Sequence, residues 1–115
     1  MKLHIGQETV PIALNDSPVS RELCRYLPIS GKMMRYDRRE FYLTLPFAPN
    51  IDGLETTDFH NGDVAFYPPY GTLAVFYDRE GDSHCPGLIP VGRVTENLSI
   101  FSGLDEEVTV TLTEN

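Results

Sequence analysis

Few side chains in this 115-residue chain could do chemistry, and they fall into three groups. The first is Arg93, set in an otherwise apolar, glycine-flanked run, Pro90-Val91-Gly92-Arg93-Val94. Burying an arginine is costly unless a carboxylate or a ligand pairs it. Arg93 therefore faces outward, pairs with Asp63 or Glu96, or forms a cation on a groove floor aimed at a carboxylate or peptide carbonyl. The second group is aromatic: Tyr42, Tyr67, Tyr70, Phe76 and Tyr77. A tyrosine combines contact area with a polar tip, which suits recognition of a peptide or small ligand; the same residues serve as core packing wherever they face inward. Tyr70 falls at the tip of a turn, where packing explains it least. The third group is the polar run Asp82-Ser83-His84-Cys85, with His60 and His4 distant in sequence.

The third group supports little. Neighbouring residues in a strand or open loop point apart, and no second pair has ligand spacing, so no metal site is expected. Cys85 as a nucleophile would need His84 or His60 as its base. An adjacent histidine rarely reaches its neighbour's sulfur, and this acidic, glycine-rich loop offers no cation to lower the thiol pKa. Ser83 lacks a G-x-S-x-G setting. Two cysteines are too few for a disulfide framework. Cys24 reads as a small buried hydrophobe within a helix, and Cys85 as a free thiol in a loop. No cofactor is implied.

Composition narrows the partners. Seventeen acidic residues against nine basic give a formal net charge of -8. Such a surface repels phosphate backbones, so no nucleic-acid partner is expected. The only basic cluster, Arg35, Arg38 and Arg39, reads as a solvated turn. No apolar run reaches the length of a membrane span, and the alternating N-terminus lacks the apolar core of a signal peptide, so a cytoplasmic location is expected. The length suits one domain, residues 1–115, with one core.

These side chains must be positioned mainly by strands. The chain centres on two short, aromatic and β-branched runs, Val64–Tyr67 and Leu73–Tyr77, joined by Pro68-Pro69-Tyr70-Gly71. That pattern predicts a hairpin, and consecutive apolar positions predict that both of its faces are covered. Either X-Pro bond in the turn could be cis. Alternation predicts strands at residues 2–5 and 9–14, and Pro11, which has no N–H, is placed at an open edge or a bulge. Ser17 as cap and Pro18 in the first turn predict a helix over residues 17–27, ended by Pro28. Further strands are expected at Ile29–Tyr36, Glu40–Leu45, Pro90–Glu96 and Glu107–Thr113. A short helix capped by Asn97 runs through Leu98, Phe101 and Leu104. Pro46–Phe59 is a long irregular segment, which in a compact domain either carries function or closes one end of a barrel.

Seven or eight short strands with two helices favour a barrel or sandwich, and pairing the first strand with the last would close a barrel and remove both edges. The chain also resembles a known family. Gly62-Asp63-Val64-Ala65-Phe66-Tyr67, then Pro69-Tyr70-Gly71, Leu73-Ala74-Val75-Phe76-Tyr77 and Pro86-Gly87-Leu88-Ile89-Pro90-Val91-Gly92-Arg93-Val94 look like the recurring segments of small, uncharacterised bacterial and archaeal cyclophilin-like proteins. The resemblance spans nearly the whole chain. It implies a mostly-β fold: a small closed eight-stranded antiparallel barrel with two short helices. True cyclophilins isomerise X-Pro bonds with an arginine beside an apolar pocket, assisted by a glutamine in Q-G-G-D. Here His60-Asn61-Gly62-Asp63 would put His60 at that glutamine, no F-H-R segment precedes it, and Trp is absent. The isomerase residues are therefore not transferred.

The combined expectation is a monomer or weak homodimer that binds a peptide or small metabolite. The alternative is a weak peptidyl-prolyl isomerase, or an accessory domain of an amidohydrolase-type system. Nine inward positions, Leu3, Ile5, Val10, Ile12, Leu43, Val75, Val108, Val110 and Leu112, should fill the barrel, because eight strands enclose little more than their own side chains. Binding is then expected on the outside wall: Phe41 or Tyr42, the Pro68-Pro69-Tyr70 turn and Arg93, with His60 nearby.

Overall fold

Strand formation follows the alternation and the turns that interrupt it. The computed structural model describes residues 1–115. Its strands are β1 (Lys2–Ile5), β2 (Glu8–Leu14), β3 (Ile29–Tyr36), β4 (Glu40–Thr44), β5 (Asp63–Tyr67), β6 (Thr72–Phe76), β7 (Ile89–Val94) and β8 (Glu107–Thr113). Helix α1 (Pro18–Tyr26) follows β2, and a 3-10 helix (Leu98–Gly103) precedes β8. The strands close into a barrel in the order β1-β2-β7-β5-β6-β4-β3-β8, with every pairing antiparallel. The first and last strands pair, with Leu3 opposite Leu112 and Ile5 opposite Val110, so neither presents an open edge. No helix is long and apolar enough to cross a membrane.

The barrel interior is filled as the alternation requires. Leu3, Val10, Ile12, Leu43, Val64, Phe66, Leu73, Val75, Val110 and Leu112 form one buried cluster with Ile5, and Val108 packs against it partly buried. The helices lie at opposite ends. Helix α1 links the end of β2 to the start of β3 and drives Val19 and Leu23 into the core. Its start is chemical: Ser17 Oγ accepts from the Ser20 amide at 3.1 Å, and Pro18 occupies the first turn. The 3-10 helix links β7 to β8 and inserts Phe101, whose ring lies 5.8 Å from Phe41.

Several details depart from the sequence expectation. Asn97 stands at the cap position of the 3-10 helix but makes no side-chain cap bond; it adopts a left-handed backbone, φ 64°, and its side chain donates to Thr9 O at 3.0 Å. Cys24 is half-buried rather than sealed in. The bonds before Pro68 and Pro69 are trans, and the cis bond is Leu27–Pro28. Pro11 lies one residue outside the β2–β7 ladder, which begins at Ile12 opposite Val94, as a residue without an N–H requires.

The basic cluster is not a solvated turn. Only Arg38 stands in solvent. Arg35 shares the inward register of Met33 and Phe41. Its guanidinium lies 5.3 Å from the Phe41 ring centroid, donates through Nη2 to Leu104 O, and leaves Nε without a partner. Arg39 is 92% buried, against the outer surface of the barrel.

Two backbone positions are tightly constrained. The β3–β4 hairpin turns through Asp37 and Arg38 with φ of 47° and 52°, closed by Arg39 N donating to Tyr36 O at 2.9 Å. Both central residues are left-handed, the geometry that matches strand twist but that only glycine adopts without cost. Arg38→Gly should stabilise the fold by about 1 kcal/mol, raising the thermal midpoint by several degrees; an unchanged or lower midpoint contradicts this. At Gly92 a Cβ would meet Ala13 O at 2.4 Å. The approach is close because the β5–β7 register shifts between Val64 and Ala65, and the Val91 carbonyl turns to accept from Asn15 N and Ser20 Oγ, both at 2.8 Å. Gly92→Ala should cost at least about 1–3 kcal/mol in denaturant unfolding, and a neutral result would show that the β2–β7 spacing is compliant.

Candidate outer-wall groove

Alternation along β4 sends Phe41 and Leu43 inward and Glu40, Tyr42 and Thr44 outward. Each outward residue continues a row across the wall. Glu40 lies opposite Phe76, Tyr42 opposite Ala74, and Ala74 in turn opposite Ala65. The central hairpin is covered on both faces, as its sequence required, because chain from two loops folds over this row. Phe59 stacks on Phe76 with centroids 4.5 Å apart. Thr57 and Leu88 exchange backbone hydrogen bonds of 2.8 and 3.0 Å. Phe59, Ala65, Ala74, Phe76 and Leu88 thus form a second, smaller hydrophobic cluster outside the barrel.

Arg39 is the polar centre of this outer layer. Its guanidinium lies 4.8 Å from the Tyr36 ring, 5.6 Å from Phe59 and 5.7 Å from Phe76. Nε donates to Glu40 Oε1 at 2.6 Å, and Nη2 lies 2.5 Å from the same oxygen. Nη1 donates to Ser83 Oγ at 3.0 Å and to His84 O at 3.3 Å. Three of the five N–H groups of the arginine thereby donate to protein oxygens. Burial pushes the Glu40 carboxyl above its ordinary range, and the Arg39 pairing opposes but does not cancel that push.

Above this pair opens a groove of about 540 Å³, lined by Tyr36, Arg39, Glu40, Tyr42, Tyr67, Tyr70, Thr72 and Cys85. It runs along the strands. Tyr36 and Glu40 mark one end, at the β3–β4 turn; Tyr67, Tyr70 and Thr72 mark the other, at the β5–β6 turn. Tyr70 is 77% exposed and its ring lies 5.7 Å from that of Tyr67. Cys85 is half-buried at the edge, and burial raises its thiol pKa, which disfavours the nucleophilic thiolate at neutral pH.

The structure divides the residues singled out in the sequence. Tyr42 and Tyr70 meet in the groove, joined by Tyr67. Phe41 does not; it is fully buried inside the barrel beside Tyr77 and Phe101, because β4 alternation turns it inward. Phe76 is buried in the outer floor. Arg93 and His60 line a different, more polar depression of about 530 Å³ with Thr57, Asp58 and Asp63. There Arg93 pairs with Asp63 through Nη1 and donates to Asn61 O at 3.0 Å through Nη2. This is the structural pairing that its sequence context allowed, and it is apart from the tyrosines. Tyr36, Arg39 and Glu40 were not among the expected site residues. The outward register of Glu40 was legible in the β4 alternation, but the loops that bury Arg39 were not.

The edge of the outer layer is held by Asp58. Its Oδ1 accepts from the Cys85 amide at 2.7 Å and the Phe59 amide at 2.8 Å, while Oδ2 pairs with His84 Nδ1 at 2.7 Å. No group of three or more metal-ligating side chains converges anywhere in the fold. The Cys85 amide, helped by His84 and the Phe59 amide, holds the Asp58 carboxyl below its ordinary range. A depressed carboxyl pKa contributes stability that is present above the unfolded value, about 3.9, and is lost as pH falls through the folded one. Glu40 has the opposite sign: its raised pKa makes stability decline as pH rises through the acidic range towards the folded value. Carboxyl NMR titration should place Asp58 below and Glu40 above their ordinary values. The reverse order would contradict the electrostatics described.

The comparisons agree with this architecture. The solution structure of the hypothetical protein AF2241 from Archaeoglobus fulgidus superposes with a TM-score of 0.77 at 17% sequence identity, covering 97% of this chain and 91% of that one. At that identity the likeness establishes the fold alone. No functionally curated protein matches the chain. The model of the cyclophilin-like family matches residues 3–113. With the fold, the match and the sequence segments in accord, the chain belongs to the cyclophilin-like family.

Proposed function

We propose that this protein is a binding module that holds a peptide or small metabolite in the outer-wall groove between Tyr36 and Tyr70. The observation that carries the reading is the placement of the tyrosines. Tyr36 and Tyr70 are 52% and 77% exposed, and with Tyr42 and Tyr67 they line one continuous surface over a rigid barrel wall. Large exposed aromatics gathered in one concavity are costly unless a ligand covers them. The barrel interior offers no comparable space, because its inward side chains fill it.

The same geometry argues against isomerase chemistry of the cyclophilin kind. That chemistry needs a guanidinium free to hydrogen-bond the substrate, whereas Arg39 is engaged with Glu40, Ser83 and His84. The groove therefore supports binding better than turnover.

An NMR screen of short X-Pro peptides and metabolite-sized fragments should give shifts that map to β4, β6 and the Pro68–Gly71 turn. Tyr70→Ala should leave stability within about 0.5 kcal/mol of wild type, as expected for an exposed side chain, yet weaken hits by roughly three- to tenfold for the lost aromatic contact. Shifts that map to the Arg93 depression, or hits indifferent to Tyr70→Ala, would remove the reading. A coupled assay on X-Pro peptides should show no catalysis above background; activity that disappears on changing Arg39 would replace the binding module with an enzyme.

A further inference from the structure

The groove has a polarity that its ligand must match. From it we infer that the ligand is an elongated organic cation, with a protonated amine at the Glu40 end and an apolar tail towards Tyr67 and Tyr70. This rests on the groove being the binding site, as proposed above.

Glu40 is the reason. Its side chain is nine-tenths buried, and both contacts from Arg39 fall on the single oxygen Oε1. Oε2 accepts no hydrogen bond from the protein, and Glu40 lines the groove. That oxygen is not sealed in, since the only buried side-chain polar atom without a partner is Arg35 Nε, so it is open to a donor brought by a ligand in the groove. Arg39 does not offer the converse. Three of its five N–H groups donate to Glu40, Ser83 and His84, and Nη2 lies against the same Glu40 oxygen, so the site has an unpaired acceptor and limited free donor capacity. Arg39 balances the Glu40 charge, so the sign is set by the unused valence, and a carboxylate ligand would face the open Glu40 oxygen.

The aromatic wall favours the same sign. Tyr36 already stacks against a cation, with the Arg39 guanidinium 4.8 Å from its ring. Tyr42, Tyr67 and Tyr70 line the groove as well, and the guanidinium stackings in the structure involve none of these three rings. Ring faces attract ammonium groups through the aromatic quadrupole. Tyr36 lies opposite Glu40 across β3 and β4, and Tyr42 follows Glu40 on the same face, so two of the four tyrosines neighbour Glu40. Tyr67 and Tyr70 lie at the far end, about four strand residues or ~13 Å away. That separation calls for an extended molecule. The chain's net charge of -8 adds a long-range bias in the same direction.

Three probes of one chain length separate the possibilities: n-hexylammonium, 1-hexanol and hexanoate, titrated at neutral pH into the intact protein and followed by amide NMR. The expected order is hexylammonium tightest, hexanol next and hexanoate weakest, with at least a tenfold spread and shifts centred on residues 36–42. Glu40→Gln should collapse the preference for the cation over the alcohol. Because that change could disturb Arg39, Tyr42→Leu is the parallel variant; it leaves the ion pair intact and should weaken hexylammonium more than hexanol. Groove shifts with equal affinities, or with hexanoate tightest, would overturn the cation inference while leaving the groove as a binding site. If all three probes and the peptides left the groove unshifted, both readings would fall.

Discussion

The outer half of this structure depends on the burial of one guanidinium. Arg39 lies against Phe59 and Phe76, pairs with Glu40, and ties the Ser83–His84 loop to the wall. Taking an arginine and a glutamate out of water costs several kcal/mol per ion before their attraction is counted. The cost is offset here because Arg39 donates to Glu40, Ser83 and His84 and its flat faces meet aromatic rings. That matching acts together with the packing of Phe59 and Leu88 on Ala65, Ala74 and Phe76 to hold the outer layer on the barrel.

The barrel supplies the rigid half. Its strands form a closed ladder, so no edge is left to pair with another chain, and the filled interior resists deformation. Binding on such a body has to use its outside. Over β4, β6 and β5 the small Ala65 and Ala74 are buried in the outer cluster with Phe59 and Leu88, and the groove is lined by the tyrosines, Thr72, Cys85 and the Arg39–Glu40 pair.

The fold was largely legible in the sequence, and the site only in part. The strict alternation of Glu107–Thr113, the Ser17-Pro18 helix start and the doubly apolar central hairpin each have one physical reading, and each is found in the structure. Tyr42 and Tyr70 were legible as groove residues because a turn tip and an outward register leave an aromatic unexplained by packing. For Arg93 the sequence left a structural pair or a ligand open; its partner Asp63 sits directly opposite across β5 and β7, and it lines a depression apart from the tyrosines. Arg39 was missed for the opposite reason. In sequence it belongs to an Asp-Arg-Arg turn, and only the return of residues 57–59 and 83–88 over the wall buries it. Contacts of that sequence separation leave no local pattern.

The claim that Arg39 and Glu40 fasten a separate outer layer to an independently stable barrel is open to native-state hydrogen exchange. In an Arg39→Met, Glu40→Gln double variant both charges are removed, so no uncompensated ion remains buried. The account predicts that the Thr57 and Leu88 amides, which bond each other across the outer layer, lose most of their protection, while the β1–β8 and β1–β2 ladders keep theirs. Uniform loss across the barrel, or unchanged protection at Thr57 and Leu88, would contradict it.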